Sequence, residues 1–200
     1  MQGNQFKLAA ASLVLMGLMQ AAEAATPVPY GWYLEVNGGQ SRISQKYTNG
    51  TPNTNIGFGG SAFGGYKFSP FAAAEVGYTY YSTVNIDNAF GTKAATNKHY
   101  SFDLAGKAIL PVGVTGLELF VKAGVARMNS NLSITNYTAV AVGGMVLDTG
   151  SHSATGVYGG AGADFAVSPN MMINVQWAQA KGTSKTGNGT LYSGGISYIF

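Results

Sequence analysis

Apolar and polar side chains alternate along most of the chain, in segments of about ten residues. Because successive side chains point to opposite sides of a β-strand, this alternation predicts strands whose two faces lie in different surroundings. Eight segments follow the pattern, and they span residues 31–39, 56–68, 71–81, 100–110, 117–126, 154–167, 171–178 and 191–200. The sequence therefore predicts an all-β fold of eight strands.

The charged residues within these segments all lie on the polar side of the alternation. They are Glu35, Lys67, Glu75, Asp103, Lys107, Glu118, Lys122 and Asp164. One face of the predicted sheet is therefore free of charge, as a surface in contact with lipid must be. A soluble sandwich or a lipocalin-like barrel shows the same alternation, so the pattern alone does not separate these architectures.

Aromatic residues favour the membrane barrel, because they cluster near both ends of the predicted apolar face. One end carries Trp32, Phe68, Phe165, Tyr198 and Phe200, and the other carries Tyr78, Tyr80, Phe102, Trp177 and Tyr192. Aromatic side chains are enriched at the two interfaces between a membrane and water. The two clusters are therefore predicted to form the two aromatic belts of a transmembrane β-barrel.

The predicted connections are short at one end of the strands and long at the other. The short ones span residues 69–70, 111–116 and 168–170, and the long ones span 40–55, 82–99, 127–153 and 179–190. Bacterial outer-membrane barrels have short periplasmic turns and long external loops, and an even strand count returns both termini to the periplasm. We therefore predict an eight-stranded, antiparallel, up-and-down β-barrel in the bacterial outer membrane, with four loops on the cell surface.

Three places in the sequence resemble the OmpA-type and opacity-protein family of small outer-membrane barrels. They are Gly31-Trp32-Tyr33-Leu34, the hairpin formed by Gly65-Tyr66-Lys67-Phe68-Ser69-Pro70 and Ala74-Glu75-Val76-Gly77-Tyr78, and the stretch from Ser193 to Phe200. The resemblance implies that Tyr198 and Phe200 belong to an assembly signal, with periplasmic chaperones and the barrel-assembly machinery as partners during biogenesis. Barrels of this family serve as envelope structure, adhesins, serum-resistance factors and narrow channels, so the resemblance implies the fold more closely than the role.

The amino-terminal residues predict export from the cytoplasm. Lys7 precedes an apolar stretch over residues 8–19, and Ala22-Glu23-Ala24 has the small-x-small form of a signal-peptidase site. Such a stretch is too short to span a bilayer, which needs about 20 residues. We therefore expect a signal peptide over residues 1–24 and a barrel domain over residues 25–200.

The composition limits the chemistry that the protein can perform. The chain has no cysteine and two histidines, which excludes thiolate catalysis and leaves few ligands for a metal, so we expect neither a metal nor a cofactor. Charged residues make up 10% of the chain, and the net charge of +3 is spread without any run of lysine or arginine. Nucleic acid is therefore not a predicted partner.

Charges inside a narrow barrel are costly unless they are paired. We therefore expect the eight charged residues of the predicted strands to form a network that fills the lumen, with Glu75 paired to Lys67 or Lys107. A narrow, porin-like ion path through the lumen is the alternative interpretation.

An enzymatic alternative is lipid A deacylation, because some eight-stranded outer-membrane barrels are hydrolases with a His-x-Ser pair near the outer rim. His99 and Ser101 have this spacing, and a histidine can act as the base for a serine hydroxyl. However, Ser101 lies on the same face of the predicted strand as Asp103, so it is expected to point into the barrel. In addition, Phe102 stands where such hydrolases carry asparagine. We therefore predict that the protein is not an enzyme.

The third external connection is the most informative segment for function. Apolar residues surround Gly143-Gly144 there, which predicts a hairpin that extends beyond the membrane. Such a ribbon offers a strand edge, so residues 131–150 are expected either to bind a host or matrix protein or to pack on the neighbouring loops.

Cations at the external ends of the strands suggest a second partner. Arg42, Lys46 and Arg127 are candidates for contact with the phosphates of lipopolysaccharide, and Lys93 and Lys98 add positive charge in the second loop. Solvated loop charges are the alternative interpretation. We therefore predict a protein that contributes to envelope structure and to interaction or adhesion at the cell surface.

Overall fold

The computed structural model describes residues 29–46, 52–87, 93–113, 116–134, 136–138, 150–184 and 186–200. Its strands are β1 (Gly31–Lys46), β2 (Pro52–Ser69), β3 (Ala72–Tyr80), β4 (Val84–Asp87), β5 (Lys93–Val112), β6 (Leu117–Ile134), β7 (Gly150–Ser168), β8 (Met171–Ala180) and β9 (Asn188–Ile199). Within these ranges, no helix reaches the length and apolar character needed to cross a lipid bilayer. The signal peptide predicted for residues 1–24 lies outside the described residues.

The strands form a closed antiparallel barrel, because β9 pairs with β1 and every neighbouring pair is antiparallel. β3 and β4 occupy one position in the wall, since both pair with β5 and only Tyr81, Ser82 and Thr83 separate them. The wall therefore has eight positions, and the predicted fold class is confirmed.

The registers give the barrel a shear of ten residues. Starting at Arg42 and following the paired residues once around the wall leads back to position 32, and the path runs through Thr190, Gln179, Gly159, Ala123, Gly106, Ala74, Tyr66 and Trp32. A stagger of this kind requires strands that are tilted against the barrel axis, by about 35–45° in outer-membrane barrels.

The strands extend further outward than the alternation predicts. β1 runs to Lys46, β6 runs to Ile134 and β7 begins at Gly150, so the predicted connections 40–55, 82–99, 127–153 and 179–190 are each wrong at one or both ends. Beyond the membrane neither face of a strand contacts lipid, so apolar and polar residues no longer need to alternate. The strands nevertheless stay paired through their backbone hydrogen bonds. The hairpin turn predicted at Gly143-Gly144 lies outside the described residues.

Apolar side chains cover the outside of the barrel, and two aromatic belts border them. The inner belt contains Trp32, Phe68, Tyr198 and Phe200, and the outer belt contains Tyr78, Tyr80, Phe102, Trp177 and Tyr192, all of them exposed at the surface of the isolated chain. Phe165, which was predicted for the inner belt, is half-buried. Since the even-numbered residues of β1 face outward, Leu34 and Val36 lie between the belts, where the hydrocarbon core is expected.

Candidate functional site: the lumen and the outer rim

Lys122 is the centre of the charge network inside the barrel. Its Nζ lies 2.8 Å from Glu75 Oε1 and 3.4 Å from Glu35 Oε1. A second lysine, Lys107, lies 2.7 Å from Asp164 Oδ2 and 3.8 Å from Glu35 Oε2. All five side chains are buried, so Glu35 connects two lysines in a space with little room for water.

The remaining interior charges lie toward the two ends of this cluster. Lys67 Nζ lies 2.6 Å from Glu118 Oε1 on the periplasmic side. Asp103 lies on the extracellular side, where its Oδ2 accepts a hydrogen bond of 2.6 Å from Thr79 Oγ1. The structure thus places all eight predicted residues inside the barrel, each with at most 6% of its surface exposed.

The pairing predicted for Glu75 is wrong. Its partner is Lys122, whereas Lys67 pairs with Glu118 and Lys107 pairs with Asp164. Alternation predicts which face a side chain occupies, but its height in the lumen depends on the register and tilt of each strand. The alternation pattern gives neither the register nor the tilt of a strand.

Uncharged groups complete the coordination of the central carboxylates. Glu35 Oε1 accepts hydrogen bonds of 2.9 Å from both Asn37 Nδ2 and Gln176 Nε2. Tyr33 donates its hydroxyl proton to Glu75 Oε2 at 3.0 Å. The Lys107 ammonium also lies 3.9 Å from the centre of the Phe120 ring, at a distance that suits a cation–π contact. The central residues Glu35, Glu75, Lys107 and Lys122 are therefore each held by more than one neighbour.

An apolar cluster reaches from the charge network toward the extracellular end of the lumen, and the sequence analysis did not predict it. Its buried residues are Ile43, Phe63, Tyr81, Val84, Ala105, Ala126, Met128, Tyr158, Ala178, Ala180 and Leu191. Several of them lie on the face that the charges marked as polar. A signal was present in the sequence, because the adjacent aromatic residues Tyr80 and Tyr81 break the alternation at the end of β3.

The chain turns into the lumen between β3 and β4. Tyr81 and Ser82 are both buried, and the Ser82 backbone N–H donates a hydrogen bond of 2.7 Å to Ser41 Oγ on β1. Tyr81 lies so close to Gly189 of β9 that a Cβ there would come within 2.5 Å of its ring. This inward turn carries a tyrosine from one wall of the barrel to the opposite one.

A small cavity lies between these groups. A cavity of about 20 Å³ lies near the periplasmic end, lined by residues that include Tyr33, Lys67, Glu118 and Met172. This volume is enough for about one water molecule. The described part of the lumen is therefore packed with side chains.

His99 and Ser101 both lie inside the barrel and are fully buried. His99 is three residues closer to the cell exterior than Phe102 of the outer belt, beyond the membrane-spanning part of β5. Burial there lowers the pKa of the imidazole to about 4, although the Thr186 backbone partly opposes the shift. Neither side chain reaches the lipid-facing surface on which an acyl chain would lie.

The outer rim carries exposed cations. Arg42, Lys98, Arg127 and Lys181 are exposed next to the outer belt, and Arg127 donates a hydrogen bond of 3.3 Å to Ser153 Oγ. The side chain of Lys46 lies outside the described residues, as does that of Lys93. Five of the eight carboxylate residues of the chain lie in the lumen, against three of its eleven lysines and arginines. All five carboxylate side chains that the structure describes lie in the lumen, so the charged side chains described at the rim are cations.

Comparison with known proteins places this architecture among outer-membrane barrels. A family model described as the outer membrane protein beta-barrel domain matches residues 8–200. An uncharacterised protein of Coxiella burnetii is 28% identical over 154 residues, which are 66% of this chain and 61% of that protein. The chain therefore spans about three fifths of the length of this curated relative.

Solved structures of surface proteins share the fold. Neisserial surface protein A superposes with a TM-score of 0.64 at 15% identity, covering 85% of this chain and 97% of that one. Ail, the attachment invasion locus protein of Yersinia pestis, was solved with the heparin analogue sucrose octasulfate and gives a TM-score of 0.57 at 14% identity, covering 86% and 99%. The barrel domain of Pseudomonas aeruginosa OprF gives 0.51 at 18% identity, covering 86% and 100%. At these identities the likeness shows the fold alone.

Proposed function

We propose, since the chain belongs to the outer membrane β-barrel protein family and resides in the outer membrane, that its barrel is a closed anchor displaying a binding surface outside the cell. The observation that carries this proposal is the contrast between the lumen and the rim. Side chains fill the lumen, whereas the strands extend past the outer belt and carry exposed cations. A binding surface needs this rigid support, and a channel needs an open path.

The partner outside the cell is a host or matrix protein bound through the third loop, residues 131–150. The test is adhesion of expressing cells to epithelial cells and to immobilised matrix proteins, with a matched variant in which residues 131–150 are replaced by a short Gly/Asn turn. Equal surface levels of the two forms are required. Loss of adhesion in the shortened form supports the proposal, and equal adhesion by both forms contradicts it.

A narrow channel is the competing function, and planar bilayers separate it from an anchor. We expect the purified protein to give no single-channel steps, because the apolar cluster and the charge network occupy the lumen. Reproducible ion-selective steps would show that these groups move aside, and would make a pore the better interpretation.

Arg42 and Arg127, with Lys46, are proposed to bind the phosphates of lipopolysaccharide at the rim. Both arginines are exposed next to the outer belt, at the depth expected for lipid headgroups. Arg42→Gln/Arg127→Gln should reduce the thermal stabilisation that lipopolysaccharide confers, whereas Thr155→Ala, which removes an exposed uncharged side chain paired with Arg127 across the strands, should not. Stabilisation by dephosphorylated lipopolysaccharide should be weak for every form.

The carboxyl-terminal residues Tyr198 and Phe200 are proposed to act as the assembly signal during biogenesis. Their rings lie side by side on the outside of β9, with centroids 5.2 Å apart, and both are exposed. An aromatic pair on this face is available to periplasmic chaperones and to the barrel-assembly machinery before the last strand closes the barrel. No catalytic role is proposed for His99 and Ser101, because their side chains do not face the lipid.

A further inference from the structure

β2 loses one of its two neighbours at the outer belt. Its ladder with β1 continues to the Lys46 and Pro52 pair, but its ladder with β3 ends at the pair of Gly60 and Tyr80. Among the described residues, no strand pairs with the other side of β2 between Pro52 and Gly59. Within the described part of the chain, these eight residues of β2 therefore form an open sheet edge that begins at the outer belt.

Two glycines explain why the neighbouring chain leaves the wall at this point. A Cβ at Gly57 would lie 2.5 Å from Ser82 Cβ, and one at Gly59 would lie 2.8 Å from the Tyr80 carbonyl oxygen. The chain after β3 therefore passes across the inner face of β2, where only glycine leaves it room. It then resumes as β4 against β5, so none of the strands that the structure describes pairs with β2 again on this side.

The backbone groups that face the open edge follow from the hydrogen-bond pattern. The Phe200 N–H donates to the Trp32 carbonyl at 2.9 Å, so even-numbered residues of β1 bond to β9 and odd-numbered ones bond to β2. Ser41 pairs with Gly57, and Gly57 is therefore bonded to β1. Ile56 and Phe58, between such pairs, direct their N–H and C=O groups to the open side.

The side chains along this edge are apolar and the charges near it are positive. Phe58 is 76% exposed and Ile56 is 57% exposed, both on the outer face of β2. Arg42 is paired with Ile56 across the strands, and Lys98 is exposed on β5, beyond the gap. Every outward-facing charged side chain that the structure describes is a cation.

We propose that the open edge of β2, from Pro52 to Gly59, binds an extended acidic segment of another protein by addition of a β-strand. The backbone of the segment pairs with Ile56 and Phe58, its apolar residues cover the exposed side chains of this edge, and its carboxylates lie near Arg42 and Lys98. This inference rests on the proposed function, because it names the chemistry of a partner at the cell surface. It adds β2 as a second binding surface, separate from the third loop.

Hydrogen exchange of the full chain in lipid nanodiscs tests the edge itself. The amides of Ile56 and Phe58 should exchange at least about tenfold faster than that of Gly57, because the Gly57 amide is bonded to β1. The amides of Ala62 and Gly64, which β3 covers, should be protected and serve as internal controls. Slow exchange at Ile56 and Phe58 in the protein alone would overturn the proposal, since it would show that the edge is already paired.

Binding of a designed probe tests the partner. The probe is a labelled eight-residue peptide in which valine alternates with aspartate, compared with its lysine counterpart and with a version N-methylated at alternate amides. The acidic probe should bind and should slow exchange at Ile56 and Phe58. The basic and N-methylated probes should bind at least about tenfold more weakly. Failure of the acidic probe to bind, or equal binding of all three, would overturn the proposal.

Ile56→Pro is the matched variant, because proline removes an N–H that faces the open side and leaves the ladder with β1 intact. It should lower the affinity for the acidic probe at least about tenfold, whereas Ile56→Val should leave it unchanged. Equal binding by the proline variant, with a folded barrel shown by heat-modifiable migration, would overturn the proposal. So would protection of the same amides through dimers, because the occupant would then be a second copy. Loss of adhesion on replacing residues 131–150 would still support the proposed function if this inference failed.

Discussion

Replacing Lys122 with methionine tests whether the interior of the barrel is held together by its charges. The substitution keeps most of the side-chain volume but removes the only ammonium group within 4 Å of Glu75, among the described side chains. Glu75 would keep the Tyr33 hydroxyl at 3.0 Å, and Glu35 would keep Lys107 at 3.8 Å. One fully buried carboxylate is thus left without a cation.

The magnitude follows from the distances. With an effective dielectric constant of about 20, contacts of 2.8 Å and 3.4 Å correspond to gross attractions of about 6 and about 5 kcal/mol. Desolvation of the buried lysine offsets several kcal/mol of this sum, so the net effect is much smaller. Removal of one partner from a buried pair typically destabilises by about 3–5 kcal/mol. We expect Lys122→Met to lower the free energy of unfolding by about that amount.

Urea unfolding in phospholipid vesicles measures the effect, with fluorescence of the lipid-facing Trp32 and Trp177 as the signal. Adding Glu75→Gln to Lys122→Met should recover part of the loss, because it removes the orphaned charge. Arg127→Met is the control, and it should change the unfolding free energy by less than about 1 kcal/mol since this arginine is exposed. An unchanged stability of Lys122→Met would refute the reasoning, because it would show that water reaches Glu75 in the lumen.

Two further predictions concern acid and glycine. The pKa of His99 is lowered from about 6.5 to about 4 by burial, so the unfolded chain takes up this proton first, and stability should fall by up to about 3 kcal/mol as the pH drops from about 6.5 to 4. His99→Gln should remove this part of the pH dependence in unfolding measurements, and an identical pH profile for both forms would contradict the assignment. A Cβ at Gly77 would lie 2.1 Å from Phe63 Cδ1, so Gly77→Ala should destabilise by about 1–3 kcal/mol. Gly106→Ala, whose nearest neighbour is 4.0 Å away, should have little effect, and equal melting temperatures of the two variants would contradict this difference.

The wall of the barrel could be predicted from the sequence because lipid imposes a simple rule on it. Each residue of a spanning strand faces either the hydrocarbon or the lumen. The positions of Glu35 and Glu75 in the alternation therefore already place them inside the barrel. The aromatic residues at the ends of the apolar face follow from the same rule. Both predictions need only local sequence, and the structure agrees with them at Trp32, Phe102 and Trp177.

The contents of the lumen could not be predicted in the same way. Glu75 meets Lys122 because the registers of β3, β5 and β6 bring them to the same height, and a register depends on the whole closed wall. The open edge of β2 was missed for a related reason. Its cause is the path of the chain from Tyr80 to Ser82 across Gly59 and Gly57, which is a contact between different wall positions.

The registers also explain why the charges pair across the lumen and not along the wall. Lys107 is directly opposite Lys122 in the ladder of β5 and β6, and Glu118 is directly opposite Asp164 in the ladder of β6 and β7. Like charges in such positions destabilise a pair of strands. The β5–β6 pair and the β6–β7 pair are therefore each unfavourable on their own in this respect.

The compensating partners come from strands that are not neighbours. Glu35 of β1 lies between Lys107 and Lys122, Lys67 of β2 reaches Glu118 of β6, and Lys107 of β5 reaches Asp164 of β7. The contacts of Glu35 with the two lysines and of Lys67 with Glu118 form only when β1 and β2 stand opposite β5 and β6, that is, in the closed barrel. A two-residue change of register between any two neighbouring strands would keep the charged side chains inside the lumen. It would, however, shift them along the barrel axis, away from their partners. The network thus favours closure in one register, and it does so with the same side chains that fill the lumen.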